Sequence, residues 1–388
     1  MSMDKQQVVL LTLLDLSAAF DTVNHSILLH RLKYTFGVTD LALQWLTSYL
    51  SRRSQTINIH GVISQSQELD CGVPQGSILG PPLYTDYTYP VGEIIRLHQV
   101  LLHIFADDSQ LYKQVNVNNE YEQLLAFMKM GKCISGVSNW MFKNHLQLNQ
   151  NKSEFLIIGS KVQKSKLIKS SIEIENLKIE ESSAAKNLGV WIDEHLTLEH
   201  QIQEACKSAY FQIFRIYKIR SSLTKDSTQT LVQALVMSRI DYGNALYYGL
   251  PDKQINKLQR VQNAAARLVA NVRKFDHVTH IRKSLHWLPV HQRIMYKIIL
   301  LTYKGIHKLA PQYISDLLSP YEPSRSLRSS SAHLLKPVRA KLKTFGDRSF
   351  SVSAPLLWNN LPPDLRSIKD VDVFKKQLKT HLFHIAYN

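Results

Sequence analysis

Val100-Leu101-Leu102-His103-Ile104-Phe105-Ala106-Asp107-Asp108 is an apolar run that closes on two adjacent carboxylates. Neighbouring acids repel each other and resist burial, so a hydrophobic strand ending in such a pair needs a cation beside it. A solvated turn can look the same. What shifts the balance is a third acid in the same setting: Val8-Val9-Leu10-Leu11-Thr12-Leu13-Leu14-Asp15-Leu16 is a second apolar strand running into a carboxylate. Laid side by side, the two strands would converge three acids on one point, the arrangement of a two-metal phosphoryl-transfer site.

The 388 residues allow two or three domains with a substantial core, and 44% hydrophobic with 20% charged residues is ordinary globular composition. Cys71, Cys133 and Cys206 have no paired metal-ligand spacing and read as buried, inert thiols of a reducing compartment. Lys5 followed by Val8 to Leu14 imitates a signal peptide, but Asp15 interrupts it, and no apolar run reaches the ~20 residues needed to span a bilayer. An intracellular protein of cytoplasm or nucleus is expected, not secreted and without a membrane partner. Charge is uneven. Residues 1–160 carry 11 Lys and Arg against 13 Asp and Glu, whereas residues 161–388 carry 36 against 18. A basic half joined to an acidic-site half fits a polyanion gripped by one and processed by the other.

Apolar spacing predicts strands at Val8–Leu14, Gln55–His60, Leu101–Phe105, Glu154–Gly159 and Asn187–Asp193. It predicts helices at Ser26–Phe36, Ala42–Tyr49, Asn119–Met130 and Ile134–Asn144. This is an α+β layer rather than strict β-α-β alternation. Beyond residue 195 the strand signal fades. Ile202, Ala205, Ala209, Ile213 and Ile216 mark the inner face of a helix bearing Lys207, Arg215, Lys218 and Arg220. Further helices are predicted at Ser227–Ala245, at Asp252–Ala270 with Lys257, Arg260 and Arg267 largely outside its apolar stripe, and at Val290–Lys304. Together these basic faces favour phosphate contact, although each residue alone also reads as solvated helix surface. Pro320 to Ser331 has loop composition, and Val371–His384 is a last amphipathic helix in a small packing element.

Three stretches carry more specific information. Asp15-Leu16-Ser17-Ala18-Ala19-Phe20-Asp21, Gly72-Val73-Pro74-Gln75-Gly76-Ser77-Ile78-Leu79-Gly80-Pro81 and Phe105-Ala106-Asp107-Asp108 stand in the order and at the separations of motifs A, B and C of reverse transcriptases. The chain resembles the polymerase of non-LTR (LINE-type) retrotransposons of the Jockey-like group. That resemblance implies a palm of antiparallel sheet with packing helices (1–195), a basic helical thumb (196–318) and a loop with a small helical element (319–388). It implies RNA-directed DNA polymerase activity on an RNA template, a DNA primer and dNTPs. Asp15 and Asp107, with Asp108 beside them and the Leu16 carbonyl completing a shell, would ligate two Mg²⁺ ions. Phe20 would exclude a ribose 2′-hydroxyl, a role weighed against that of a core aromatic. Gln75 and Gly76 would contact the incoming nucleotide. His145 to Phe155 resembles motif D, with Lys152 as a proton donor to pyrophosphate, and Asn187 to Asp193 resembles the primer-gripping motif E. Lys207, Arg215, Lys218, Arg220, Lys257, Arg260 and Arg267 would track the nucleic-acid backbone.

Two departures matter. Motif A stands so near Met1 that the family's fingers are expected to be missing, as in a truncated element-derived product. Pro82 and Asp86 stand where motif B usually carries apolar helix residues; Pro82 is tolerable only near the helix start. The rival reading is a non-catalytic nucleic-acid-binding remnant that keeps the basic half.

Overall fold

A computed structural model describes residues 5–174, 177–322 and 333–388. Its organising element is β1 (Gln7–Ser17), the apolar run ending at Asp15. β1 lies between β3 (Asp108–Asn116) and β4 (Gln147–Ile158), with β2 (Leu101–Phe105) at the edge beyond β3, in the order β2-β3-β1-β4 and antiparallel throughout. Side chains of a strand alternate between faces, and this strand is apolar on both because both are covered. Val8, Leu10, Leu14 and Leu16 enter the larger core, whereas Leu11 packs with Leu156 and Ala185 on the other side.

The larger core is roofed by α1 (His25–Tyr34), α3 (Gly80–Thr88) and α4 (Glu120–Lys143); α2 (Asp40–Leu50) buries only Leu50. Asn24 and Asn119 cap α1 and α4 by accepting from the Ile27 and Glu122 amides. The two helices expected at Asn119–Met130 and Ile134–Asn144 are one, α4, which runs through Gly131. An interior glycine costs a helix about 1 kcal/mol relative to alanine. Here it is needed, because a Cβ at Gly131 would stand 2.5 Å from the Glu173 carbonyl oxygen of the crossing strand.

Two expected strands are also corrected. Gln55–His60 is not one strand: Arg53–Gln55 pairs with Gln67–Leu69 and Asn58–Ile59 with Val62–Ile63, in small exposed ribbons outside the main sheet. Asn187–Asp193 folds back on itself as the hairpin of β5 (Ala184–Asn187) and β6 (Val190–Asp193) around Leu188-Gly189. Lys164, 16% exposed, ties this region to the sheet through ion pairs with Glu181 and Glu194. Burial pulls its ammonium down, but the hydrogen bonds and charges of the two glutamates outweigh that and hold its pKa above the ordinary lysine value. Such a group stabilises the fold below the unfolded lysine pKa, and the contribution is lost as pH rises through the folded value. Lys164→Met is therefore expected to lower stability by roughly 1.5–3 kcal/mol at neutral pH. The deficit should close only in strong alkali, as read by chemical unfolding against pH; a deficit that persists there would assign it to packing instead.

The C-terminal half is helical. The expected helix at Ser227–Ala245 is correct only in part: it runs from Lys225 to Val232, loosens into a π turn at Gln233–Met237, resumes over Ser238–Asp241 and stops before Gly243. α5 (Glu199–Lys218), α6 (Asp252–Ala270), α7 (Val290–Ile306), α8 (Phe350–Asn359) and α9 (Val371–Tyr387) share one core, in which Ile202, Leu258 and Ile298 meet Trp358 and Phe374. Residues 323–331 of the expected loop lie outside the described residues. Of the cysteines, Cys71 is exposed, contrary to the expected buried thiols; burial pushes Cys133 up to about 12 and Cys206 to about 11. Among the described residues, no helix is long and apolar enough to cross a membrane.

Candidate active site

The Asp107-Asp108 pair is placed by a two-residue hairpin. Phe105 pairs with Asp108, leaving Ala106 and Asp107 as the turn between β2 and β3. Ala106 takes φ of 55°, a left-handed conformation that costs a residue with a Cβ roughly 1–2 kcal/mol. Asp15 arrives on the neighbouring strand: its predecessor Leu14 pairs with Ser109, one residue after Asp108. The electrostatics register the convergence. The Asp108 carboxyl is raised above the usual carboxylate range, first by burial and then by the charges of Asp107 and Asp15. Asp15 Oδ2 is buried without a hydrogen-bond partner. Among the described residues, however, no three His, Cys, Asp or Glu side chains form a ready-made metal-holding group.

Lys152 reaches this site through a device the pairing register makes visible. On β1 one residue separates Leu13 from Asp15, whereas their partners on β4 are Glu154 and Asn149. The extra residues of β4 bulge outward, as unmatched residues in a ladder must, and Ser153 Oγ donates to Asn149 O at 2.9 Å across the bulge. Lys152 sits in it, 68% exposed, with Nζ 3.6 Å from Asp15 Oδ2.

The segment after β1 meets the Pro74-Gln75-Gly76 turn. The Gly72 amide donates to Val23 O and the Val73 amide to Phe20 O, both at 2.8 Å. Gly72 takes φ of 90°, and a Cβ there would approach Asp21 O to 2.9 Å, so the close passage of the two segments depends on a glycine. Gln75 Nε2 donates to both Asp21 carboxylate oxygens at 3.1 and 3.2 Å, while Gln75 and Gly76 themselves stand exposed. Phe20 is half-buried with its ring 4.9 Å from that of Tyr84 on α3. Pro81 and Pro82 lie in the first turn of α3, and burial raises the Asp86 carboxyl.

Sequence reasoning missed Tyr84. Its hydroxyl is buried without a partner and is raised strongly, by burial first and then by Asp107. Its place seven residues after Ser77, on the helix that follows the motif B turn, was the available signal. The pairing of Asp21 with Gln75 was missed too.

The expected cations separate into groups. Lys207, Arg215 and Lys218 on α5 and Arg260 on α6 are exposed, and Lys257 is half-buried. Arg267 is half-buried and donates from Nε to Asp276 O at 3.0 Å. Arg220 is set apart. Its guanidinium donates to Leu268 O, Val269 O and Leu223 O, so it caps the end of α6 instead of standing free for phosphate.

Residues 1–192 match the family model described as reverse transcriptase (RNA-dependent DNA polymerase). Over these residues, just under half of the chain, it is similar to the reverse transcriptase family. Curated relatives include the probable RNA-directed DNA polymerase from transposon X-element of Drosophila melanogaster, 26% identical over 287 residues and covering 72% of this chain. That from transposon BS is 26% identical over 292 residues and covers 72% of this chain, and that from mobile element jockey, in the same organism, is 22% identical over 293 residues and covers 73%. This chain spans only 30%, 31% and 31% of those relatives. The motif-level resemblance to non-LTR retrotransposon reverse transcriptases is thereby borne out. Solved structures of two telomerases are looser neighbours: that of Candida tropicalis covers 45% of this chain and 34% of its own, at 16% identity and a TM-score of 0.32. That of Candida albicans, in complex with a fragment of telomeric RNA, covers 74% and 47% at 11% identity and a TM-score of 0.31.

Proposed function

We propose that this chain supplies the palm and thumb of an RNA-directed DNA polymerase of a non-LTR retrotransposon, adding dNTPs to a DNA primer on an RNA template. The observation that supports it most is Asp15, whose buried Oδ2 accepts no hydrogen bond on the strand beside the Asp107-Asp108 turn. A buried carboxylate oxygen with no hydrogen bond, beside two further acids and with only the exposed Lys152 ammonium 3.6 Å away, is a site for a hard cation. Asp15, Asp107, Asp108 and the Leu16 carbonyl would hold Mg²⁺, two ions in this reading. Bound there, Mg²⁺ lowers the pKa of the primer 3′-hydroxyl and neutralises charge on the triphosphate.

The remaining roles belong to side chains. Lys152, as an ammonium held near Asp15, gives its proton to the departing pyrophosphate. Gln75 and Gly76 meet the nucleotide across the open turn. Lys207, Arg215, Lys218, Lys257, Arg260 and Arg267 line the duplex path, and Arg220 is left to cap α6. Residues 1–195 are the palm, and residues 196–318 with 319–388 make one thumb-like body around their common core.

Primer extension on an RNA template with dNTPs and Mg²⁺ tests this reading. Absence of any product from the full chain, alongside salt-sensitive binding of the RNA–DNA hybrid, would leave only a nucleic-acid-binding protein. Phe20 gives a finer test. Its ring, backed by Tyr84, would lie under the sugar and exclude a 2′-hydroxyl. Phe20→Val is expected to raise ribonucleotide incorporation relative to deoxyribonucleotide by roughly ten- to two-hundred-fold. An unchanged ratio would return Phe20 to the role of a core aromatic.

A further inference from the structure

α5 carries a second stripe that the core does not use. Ile202, Ala205, Ala209 and Ile216 face inward, and Tyr210, Phe214 and Tyr217, at i, i+4 and i+7, lie along a flank of the helix, exposed by 43%, 53% and 68%. Large rings in a row on the exposed flank of a helix do nothing for the core of this chain. They are interleaved with cations. The Arg215 guanidinium lies 5.9 Å from the centre of the exposed Phe211 ring, and Lys218 Nζ lies 4.7 Å from that of Phe214. The three rings form one wall of a groove of about 410 Å³ whose other wall, at the end of α6, presents Arg267, Asn271 and Lys274.

Charge decides between occupants. No acid occurs between Glu204 and Asp226 on the α5 side or between Asp252 and Asp276 on the α6 side. A protein partner would have to bring its own acids to so one-signed a face, whereas a nucleic-acid strand brings phosphate for the cations and flat bases for the rings. A paired duplex has its base faces stacked inside and cannot use the rings. An unpaired strand can.

We propose that the Tyr210-Phe214-Tyr217 face of α5, with the groove against α6, is a stacking site for single-stranded RNA that adjoins the duplex path and shares Arg215, Lys218 and Arg267 with it, its rings serving the unpaired strand alone. The choice of RNA over DNA rests on the polymerase reading above, in which the strand still unpaired before copying is the RNA template. Unpaired bases stack on Phe214 and Tyr217, Asn271 offers a donor and an acceptor to a base edge, and Arg215, Lys218 and Lys274 hold the backbone.

The test compares the full chain with the Phe214→Leu, Tyr217→Leu double variant, in which two exposed rings give way to apolar side chains that leave the core untouched. Binding is measured to an unstructured RNA of roughly 20 nucleotides, to the matching DNA strand and to the RNA–DNA hybrid. The double variant is expected to lose about tenfold or more in affinity for the single-stranded RNA and to keep that for the hybrid. Lys274→Gln, which keeps every ring, should instead lower the salt dependence of RNA binding by about one phosphate contact. Unchanged RNA affinity in the double variant overturns the proposal, and so does an equal loss on the hybrid. A larger ring effect on the DNA strand overturns the assignment to RNA. Self-association of the parent that the double variant loses, with RNA binding intact, would give the face to a second copy of the chain. Ring-dependent RNA binding without primer extension would remove the polymerase reading and leave this site standing; extension without ring dependence would do the reverse.

Discussion

Asp107→Asn is expected to reduce Mg²⁺-dependent primer extension by roughly a thousandfold while leaving the protein folded. The substitution keeps the shape of the side chain and removes one ionised oxygen pair from the hairpin tip between β2 and β3. Charge stabilisation by bound metal is worth several kcal/mol, and each 1.4 kcal/mol is a factor of ten in rate, hence the size of the loss. Stability should move the other way or not at all. Asp107 contributes to raising the Asp108 carboxyl, and removing a like charge relieves that repulsion. Loss of extension with an unchanged or raised melting temperature therefore separates a missing ligand from a damaged fold. Asp15→Asn should match it in extension, because its Oδ2 has no hydrogen-bond partner to lose, only the exposed Lys152 ammonium and a bound cation to miss. Equal extension by parent and Asp107→Asn, with Mg²⁺ supplied, would remove the enzymatic reading from this chain and leave its family likeness intact.

Much of this site was legible because its elements announce themselves locally. β1 is an apolar run covered on both faces and β2 a largely apolar run at the sheet edge, and such runs need no partner to be recognised as strands. α6 begins after Pro251 and ends at Ala270 as its spacing predicts, because Ile255, Leu258, Val261, Ala265 and Leu268 recur at helical spacing on its buried side. The motif acids could be named because they end such runs. What could not be read is whatever depends on the partner. Leu188 takes a φ of 45°, which its side chain does not advertise, so the β5–β6 hairpin passed for one strand. Gly131 looks like a helix break until the crossing Glu173 carbonyl explains it. The β4 bulge that delivers Lys152 to Asp15 leaves no trace in composition, since it exists only as a mismatch between two strands. Arg220 looked like every other cation of its helix, and only the end of α6 distinguishes it.

The largest effect on stability is expected at Trp358, in the segment where the sequence shows no chemistry. Its side chain is 1% exposed, its indole N–H donates to His333 O at 2.8 Å, and its ring packs 6.5 Å from Tyr303 of α7 and 5.9 Å from Phe374 of α9. Tyr303 and Phe374 stack at 4.1 Å, and the Tyr303 hydroxyl donates to Lys369 O. Removing so large a buried ring costs about 3–5 kcal/mol, a large share of the stability of an ordinary domain. The distribution of that cost is as informative as its size. Were residues 319–388 a separate element, Trp358→Ala would loosen α8 and α9 and spare α7. Because Trp358 shares a core with Ile202 of α5, Leu258 of α6 and Ile298 of α7, amide exchange should accelerate in all of these helices together. β1, whose contacts belong to the other core, should keep its protection. Acceleration confined to residues 350–387 would split the helical half in two, and the basic face of α5 would then rest on a smaller body than the one whose core it now shares.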